Sequence, residues 1–204
     1  MPIITNIIPQ GNQSRVNLYI DGEFFCGLFK ETALKHQLKV GLEVSQEKLL
    51  EILNDDQFEK AKNVAFHFLS YRPRSQKEIE KKLLEKEFHP EIVKRTVDYL
   101  SQNGFLDDKK FIESWIADKT KLAPCGLLKI QKELKERGVD PDLIKESLAF
   151  LKEKEKDLAK EALKTRWNRF EKLSLKEKKK KIQSFLYSRG FSSQTIWEIL
   201  KEIK

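Results

Sequence analysis

Residues 79–100 read IEKKLLEKEFHPEIVKRTVDYL, residues 130–151 read IQKELKERGVDPDLIKESLAFL, and residues 182–203 read IQSFLYSRGFSSQTIWEILKEI. Aligned on Phe88, Val139 and Phe191, which lie 51 and 52 residues apart, the three stretches are apolar at the same offsets: −9, −5, 0, +5, +9 and +12. In the first copy these are Ile79, Leu83, Phe88, Val93, Val97 and Leu100. In the second they are Ile130, Leu134, Val139, Ile144, Leu148 and Leu151, and in the third Ile182, Leu186, Phe191, Ile196, Leu200 and Ile203. Only 39% of the chain is hydrophobic, so coincidence explains this poorly. A period of this size marks one supersecondary unit copied in tandem. Such an array builds a long surface more readily than an enclosed active site.

Each copy contains a helix on either side of its anchor. The earlier helix ends at Arg137-Gly138 and Arg189-Gly190, where glycine can supply a left-handed cap. The later one starts after His89-Pro90, Asp140-Pro141 and Ser192-Ser193, and proline costs nothing at a first helical position because its missing N–H has no partner there. Ser75-Gln76-Lys77-Glu78 has the form of a capping box at the head of the first copy's earlier helix. A further helix precedes each pair. Ala61, Val64, Ala65, Phe68 and Leu69 are helically spaced, with counterparts in Phe111–Ala123 (Phe111, Ile112, Trp115, Ile116) and Ala159–Phe170 (Leu163, Trp167). Val64, Trp115 and Trp167 each lie 24 residues before their anchor. In repeat one Lys86-Glu87-Phe88 lacks the glycine, which predicts a differently shaped cap there.

The N-terminal part differs. Val16, Leu18 and Ile20 alternate with Asn17 and Tyr19, Asp21-Gly22 follows, and Glu23–Phe29 continues. An Asp-Gly pair between two such runs signals a tight hairpin. Ile3–Ile8 adds a third strand, and Glu31–Leu38 reads as a short helix ending near Gly41. Leu49, Leu50, Ile52 and Leu53 open the helical region, followed by a polar interval at Asn54-Asp55-Asp56. The expected fold is mainly α: three tandem three-helix bundle repeats forming an elongated curved solenoid, with a small N-terminal extension containing a β-hairpin. The expected partition is 1–57 (extension), 58–108, 109–152 and 153–204 (repeats). Within it, Lys152–Lys156 (KEKEK) reads as a solvated helix running into the third repeat, and Ser174–Lys181 as a flexible or basic helix start.

The 204 residues carry a net charge of +8. It is −3 over 1–57, +3 over 58–110, +1 over 111–152 and +7 over 153–204. A basic end of this kind suits nucleic acid or an acidic protein surface, and charge alone does not separate the two. No apolar run approaches the roughly 18 residues that span a bilayer, and MPIITNIIPQG does not read as a secretory signal. Two distant cysteines, Cys26 and Cys125, read as reduced, buried thiols of a cytoplasmic protein. No GxxxxGK[ST], HExxH, GxSxG or GxGxxG motif occurs.

Ala61…Leu69 followed by Tyr71-Arg72-Pro73-Arg74-Ser75 and Glu78-Ile79…Leu83 resembles the signature of the RecX family of RecA regulators. Gly104-Phe105-Leu106-Asp107-Asp108…Phe111…Trp115 is similar to that family's turn between its first two repeats. Gly126…Ile130…Leu134…Gly138-Val139 and Phe185-Leu186…Arg189-Gly190-Phe191…Ile196 are similar to its later motifs. The resemblance covers residues 58–204, and the N-terminal hairpin resembles an extension found in some members. It implies a modular helical protein without catalytic activity or cofactor, a cytoplasmic monomer. Such a protein binds RecA and its filaments on single-stranded DNA, and inhibits ATP hydrolysis, strand exchange and coprotease activity in recombination, DNA repair and the SOS response. Contact with single-stranded and also double-stranded DNA is included in that expectation.

The candidate RecA- or DNA-binding residues are Arg72, Arg74, Lys77, Lys81, Arg166, Arg169, Lys178, Lys179, Lys180, Lys181 and Arg189. Arg72 and Arg74, flanking Pro73, could grip carboxylates or phosphates through forked hydrogen bonds, or fix their own turn by pairing with Asp107 or Asp108. Ser75 reads as a helix cap rather than a contact. Asp107-Asp108 reads as a helix cap rather than a metal pair, because no further ligands accompany it. His36, His67 and His89 are isolated and read as structural or solvent-facing. Trp115 and Trp167 read as core by their equivalent positions, although Arg166, Arg169 and Lys172 around Trp167 mark a basic face. A direct nucleic-acid-binding module independent of RecA is the alternative.

Overall fold

The computed structural model describes residues 1–11 and 14–203. They form two compact units: Met1–Arg72 with Ile79–Asn103, and Pro73–Glu78 with the chain from Gly104 onward.

The first unit opens with an antiparallel sheet, β1 (Ile4–Pro9), β2 (Arg15–Ile20) and β3 (Glu23–Phe29), in the order β1-β2-β3. Asp21 and Gly22 both take positive φ, 50° and 86°, as the tight hairpin requires. The alternation of β2 buries Val16 and Leu18 against Leu28, Ile4, Val44, Leu49 and Ile52. A bulge interrupts the β2–β3 register between Leu18↔Cys26 and Tyr19↔Phe24, leaving Phe25 unpaired. After α1 (Lys30–Lys35) comes α2 (Gln46–Leu69), a single 24-residue helix that starts on a Ser45 cap. The polar interval at Asn54–Asp56 therefore lies inside a helix, and the expected boundary at 57/58 falls within it. Asp55 and Asp56 are buried there because partners meet them: Asp56 accepts from the Phe29 N–H (2.6 Å) and Lys60 (3.1 Å).

Three helical repeats follow. The first uses the end of α2 with α3 (Gln76–Glu85) and α4 (Pro90–Gln102). The second is α5 (Asp108–Lys121), α6 (Leu127–Glu136) and α7 (Pro141–Leu148). The third is α8 (Glu155–Lys164), α9 (Leu175–Ser188) and α10 (Ser193–Glu202). The eighteen aligned apolar positions are buried except Phe88, Leu200 and Ile203, which are half-buried. Repeats two and three each enclose their own core, drawn from all three of their helices. Pro90 and Pro141 stand in the first helical turn, as expected.

Several expectations need correction. The cap of repeat one has the same shape as the others. Glu87 takes φ +61, Gly138 +72 and Gly190 +77. In each repeat the next residue's N–H returns to the carbonyl five residues back (Phe88 to Leu83, Val139 to Leu134, Phe191 to Leu186). The first helix of repeat three stops at Lys164, and Trp167–Arg169 is a separate 3-10 turn, so Trp167 is exposed rather than core. Trp115 is partly buried on the second core, with its indole N–H on Glu133 and the Arg137 guanidinium 3.8 Å from its ring. Lys152–Lys154 form a turn, and Glu155 is buried rather than solvated. Of the two forms expected for Ser174–Lys181 the basic helix start is found, with Ser174 closing a capping box with Glu177. Cys125 is buried as expected, whereas Cys26 is only half-buried.

Two joints inside the second unit share one design. Ser75, which caps α3 through a capping box with Glu78, also donates its hydroxyl to the Arg137 carbonyl at the end of α6 (2.7 Å). One repeat later, Gly126 and Leu128 at the head of α6 donate N–H groups to Arg189 (2.9 Å) and Gly190 (3.1 Å) at the end of α9. Each helix head also receives a carboxylate from the first residue of the following repeat. The Gln76 N–H donates to Asp108 (2.9 Å) and the Leu127 N–H to Glu155 (3.1 Å).

A basic groove as candidate interaction surface

Helix geometry sorts the lysine run of α9. Glu177, Lys180, Lys181 and Ser184 recur at helical spacing and line one wall of a groove of about 530 Å³. Arg166, Arg169 and Phe170 form the other wall, and Phe185 lies between. The guanidiniums of Arg166 and Arg189 each lie 5.4 Å from the Phe185 ring. Lys178 turns instead toward Trp167, 5.9 Å from its ring, and Lys179 is half-buried.

The fold thus gathers Arg166, Arg169, Lys180 and Lys181 into one concavity, with Arg189 beside it. Among the described residues none of these five sits in an ion pair, whereas Lys156 and Lys160 on α8 are both held by Glu202 (2.7 and 2.9 Å). The one lining carboxylate, Glu177, is engaged by Ser174. Hydrogen bonds from that hydroxyl and backbone N–H hold its carboxyl below the usual range, with Lys181 adding to the effect. Four cations against one carboxylate suit a phosphate chain or a carboxylate-rich surface, and Phe185 supplies an aromatic ring that already holds the Arg166 and Arg189 guanidiniums nearby.

The remaining candidates do not join this groove. Arg72 and Arg74 are half-buried in the loop before α3, and neither lacks a partner. Lys77 and Lys81 are exposed on α3, and the Lys77 stem fills the space beside Gly138 that a side chain there would occupy.

The closest-knit charge cluster lies elsewhere. Asp55 accepts from Lys35 (2.6 Å) and Arg95 (2.8 Å), and His36 Nε2 lies 2.9 Å from it, so His36 is not isolated. Burial pushes the Asp55 carboxyl up, but the hydrogen bonds from Lys35, Arg95 and His36 outweigh it and hold the group at about 2. His36, Glu51 and Asp55 could offer three ligand atoms to a metal ion, yet both Asp55 oxygens already face cationic side chains. The arrangement is an ion-pair clasp joining α1, α2 and α4. Asp107 caps α5 by accepting from the Lys109 and Lys110 N–H groups, which lowers its carboxyl below the usual range, most strongly through Lys110.

Comparison with known proteins covers nearly the whole chain. Residues 2–45 match the N-terminal domain of regulatory protein RecX, and residues 61–100, 107–148 and 153–200 match the first, second and third three-helix domains of RecX. Regulatory protein RecX of Clostridioides difficile (strain 630) is 33% identical over 100% of this chain and 96% of its own length. The chain belongs to the RecX family. Regulatory protein RecX of Bacillus subtilis (strain 168) is 32% identical over 100% of this chain and 78% of its own. A crystal structure of regulatory protein RecX superimposes with a TM-score of 0.79 at 25% identity, covering 99% of this chain and 100% of that one. That of RecX from Lactobacillus salivarius gives 0.67 at 26% identity, covering 73% and 97%.

Two residues of this RecX-family chain escaped sequence reading. Phe185 was legible only as a family position, and its place within 5.4 Å of two guanidiniums needed the fold. Glu155 read as one of five alternating charges. It is 4% exposed, yet it accepts from the Leu127 and Ser192 N–H groups and the Ser192 and Thr195 hydroxyls. Its role parallels that of Asp108, but Asp108 lies 31 residues before its anchor and Glu155 lies 36. That offset hides the equivalence.

Proposed function

We propose that this protein regulates RecA. It binds RecA and RecA filaments on single-stranded DNA and modulates them, mostly by inhibition, in their ATPase, recombinase and coprotease activities. The observation that carries this reading is relatedness along the whole chain to proteins named regulatory protein RecX. The basic groove of repeat three supports it as a place where an acidic protomer surface or the DNA phosphates would be met. In this reading the chain acts as a cytoplasmic, non-enzymatic monomer built of the extension 1–57 and repeats 58–108, 109–152 and 153–204. The test is a titration of RecA's DNA-dependent ATPase. Sub-stoichiometric protein should slow it, and Arg166→Glu with Lys181→Glu should raise the half-inhibitory concentration about tenfold, roughly 1.4 kcal/mol. Unchanged ATPase and unchanged filament length at excess protein would overturn the proposal.

A second reading, direct nucleic-acid binding without RecA, draws on the same cations, none of which sits in an ion pair among the described residues. If four cations displace counterions from single-stranded DNA, log affinity should fall with log salt at a slope of about −3. Such binding, with no response from RecA, would favour this reading over the first.

A further inference from the structure

The first unit carries a second groove, of about 770 Å³, lined by Ile20, Phe24, Phe25, Leu49, Leu50 and Leu53, with Asp21 and Glu23 among its edge residues. Successive strand residues ordinarily point to opposite faces. Here the bulge at Phe25 lets two consecutive phenylalanines line the same groove. Phe24 and Leu50 are 58% and 62% exposed, a large apolar presentation for neighbours in one concavity. Among the described residues no lysine or arginine lines it. Lys48, on the same helix, is tied to Glu51 at 2.8 Å. The charged side chains of the lining are the carboxylates of Asp21 and Glu23.

We propose that this groove is a docking site for a basic amphipathic helix of a partner protein. Apolar side chains spaced three and four residues apart would fill the space over Phe24, Phe25 and Leu50, and flanking lysines or arginines would face Asp21 and Glu23. The site belongs to the first unit and the basic groove to the second; it carries the opposite charge and stands independently of the RecA reading. An acidic partner, nucleic acid and a membrane of anionic lipid are disfavoured by the same carboxylates.

The test uses the full chain and two fluorescent amphipathic peptides of about 18 residues, one of leucine and lysine and one of the same pattern with leucine and glutamate. The lysine peptide should bind with a Kd in the micromolar range and the glutamate peptide should not. Leu50→Lys and, separately, Phe24→Lys should each weaken the lysine peptide at least about tenfold. Both positions are solvent-exposed, so circular dichroism should be unchanged. Three results would overturn the proposal: no binding of the lysine peptide, binding that survives both substitutions, or equal binding of the two peptides. A concentration-dependent self-association abolished by Leu50→Lys would also overturn it, by assigning the groove to a second copy of the chain.

Discussion

Gly126 shows how much can depend on one absent side chain. A β-carbon there would overlap the Gly190 carbonyl and the Phe191 Cα, and backbone cannot swing aside as a flexible side chain would. Gly126→Ala should therefore lower unfolding free energy by about 2–3 kcal/mol in urea titrations. Gly126 has no side-chain cap to offer α6, and the Glu155 carboxylate takes that role from the next repeat. It also sits at the head of α10, so two positive helix ends face one buried anion. Glu155→Ala would strand two N–H groups and two hydroxyls, at a cost of about 3 kcal/mol, while Glu155→Gln, which keeps an acceptor oxygen, should lose less. The reverse case is Glu87, a non-glycine residue at φ +61. Glu87→Gly should raise stability by about 0.5–1 kcal/mol in the same titration.

At the scale of elements, α2 was only partly legible. Its two apolar faces follow helical periodicity, but Asp55 and Asp56 carry no period of their own, and their partners lie up to 40 residues away at Lys35, His36, Phe29 and Arg95. Sequence spacing cannot reveal such a meeting. The clasp has a pH signature. Because the folded carboxyl of Asp55 is held at about 2, below the ordinary 3.8, its stabilisation is fully present above the ordinary value. It is lost as pH falls from about 4 through 2, and amounts to about 2–3 kcal/mol. The stability difference between the protein and its Asp55→Asn variant should accordingly be greatest near neutrality and shrink below pH 4. A constant difference down to pH 2 would show that the ion pairs contribute nothing. The helices of the repeats were easier to read, since period, proline and capping box agree at α3, α4 and α7. Trp167 misled because its 24-residue spacing from the anchor matches Trp115, while the helix that should carry it ends at Lys164.

For the whole molecule, the charge sums located the basic end but not the groove that gathers part of it. Residues 153–204 hold a surplus of seven, and the four consecutive lysines look alike in sequence. Helical phase divides them, with Lys180 and Lys181 in the groove and Lys178 over Trp167. Lys181→Ala should weaken binding to an anionic partner about two- to fivefold, and Lys178→Ala should weaken it less. Both effects should diminish in high salt because exposed charges are screened. Fluorescence anisotropy with labelled single-stranded DNA, with and without RecA, would measure this. Equal losses at the two positions would mean that charge density, rather than the groove, does the binding.

The joints at Ser75–Arg137 and Gly126–Gly190 also say which repeats carry matching halves. Each needs a helix head as a plug and a glycine-lined helix end as a socket. Repeat two owns both halves, Gly126 and Gly138. The end of α3 has its socket occupied by Glu87. The head of α9 begins at Ser174, 17 residues before its anchor, where the heads of α3 and α6 begin 13 before theirs, so α9 is about one turn longer at that end. A duplicated middle unit would therefore find matching halves on either side, since repeat two alone carries the glycine at both its helix head and its helix end.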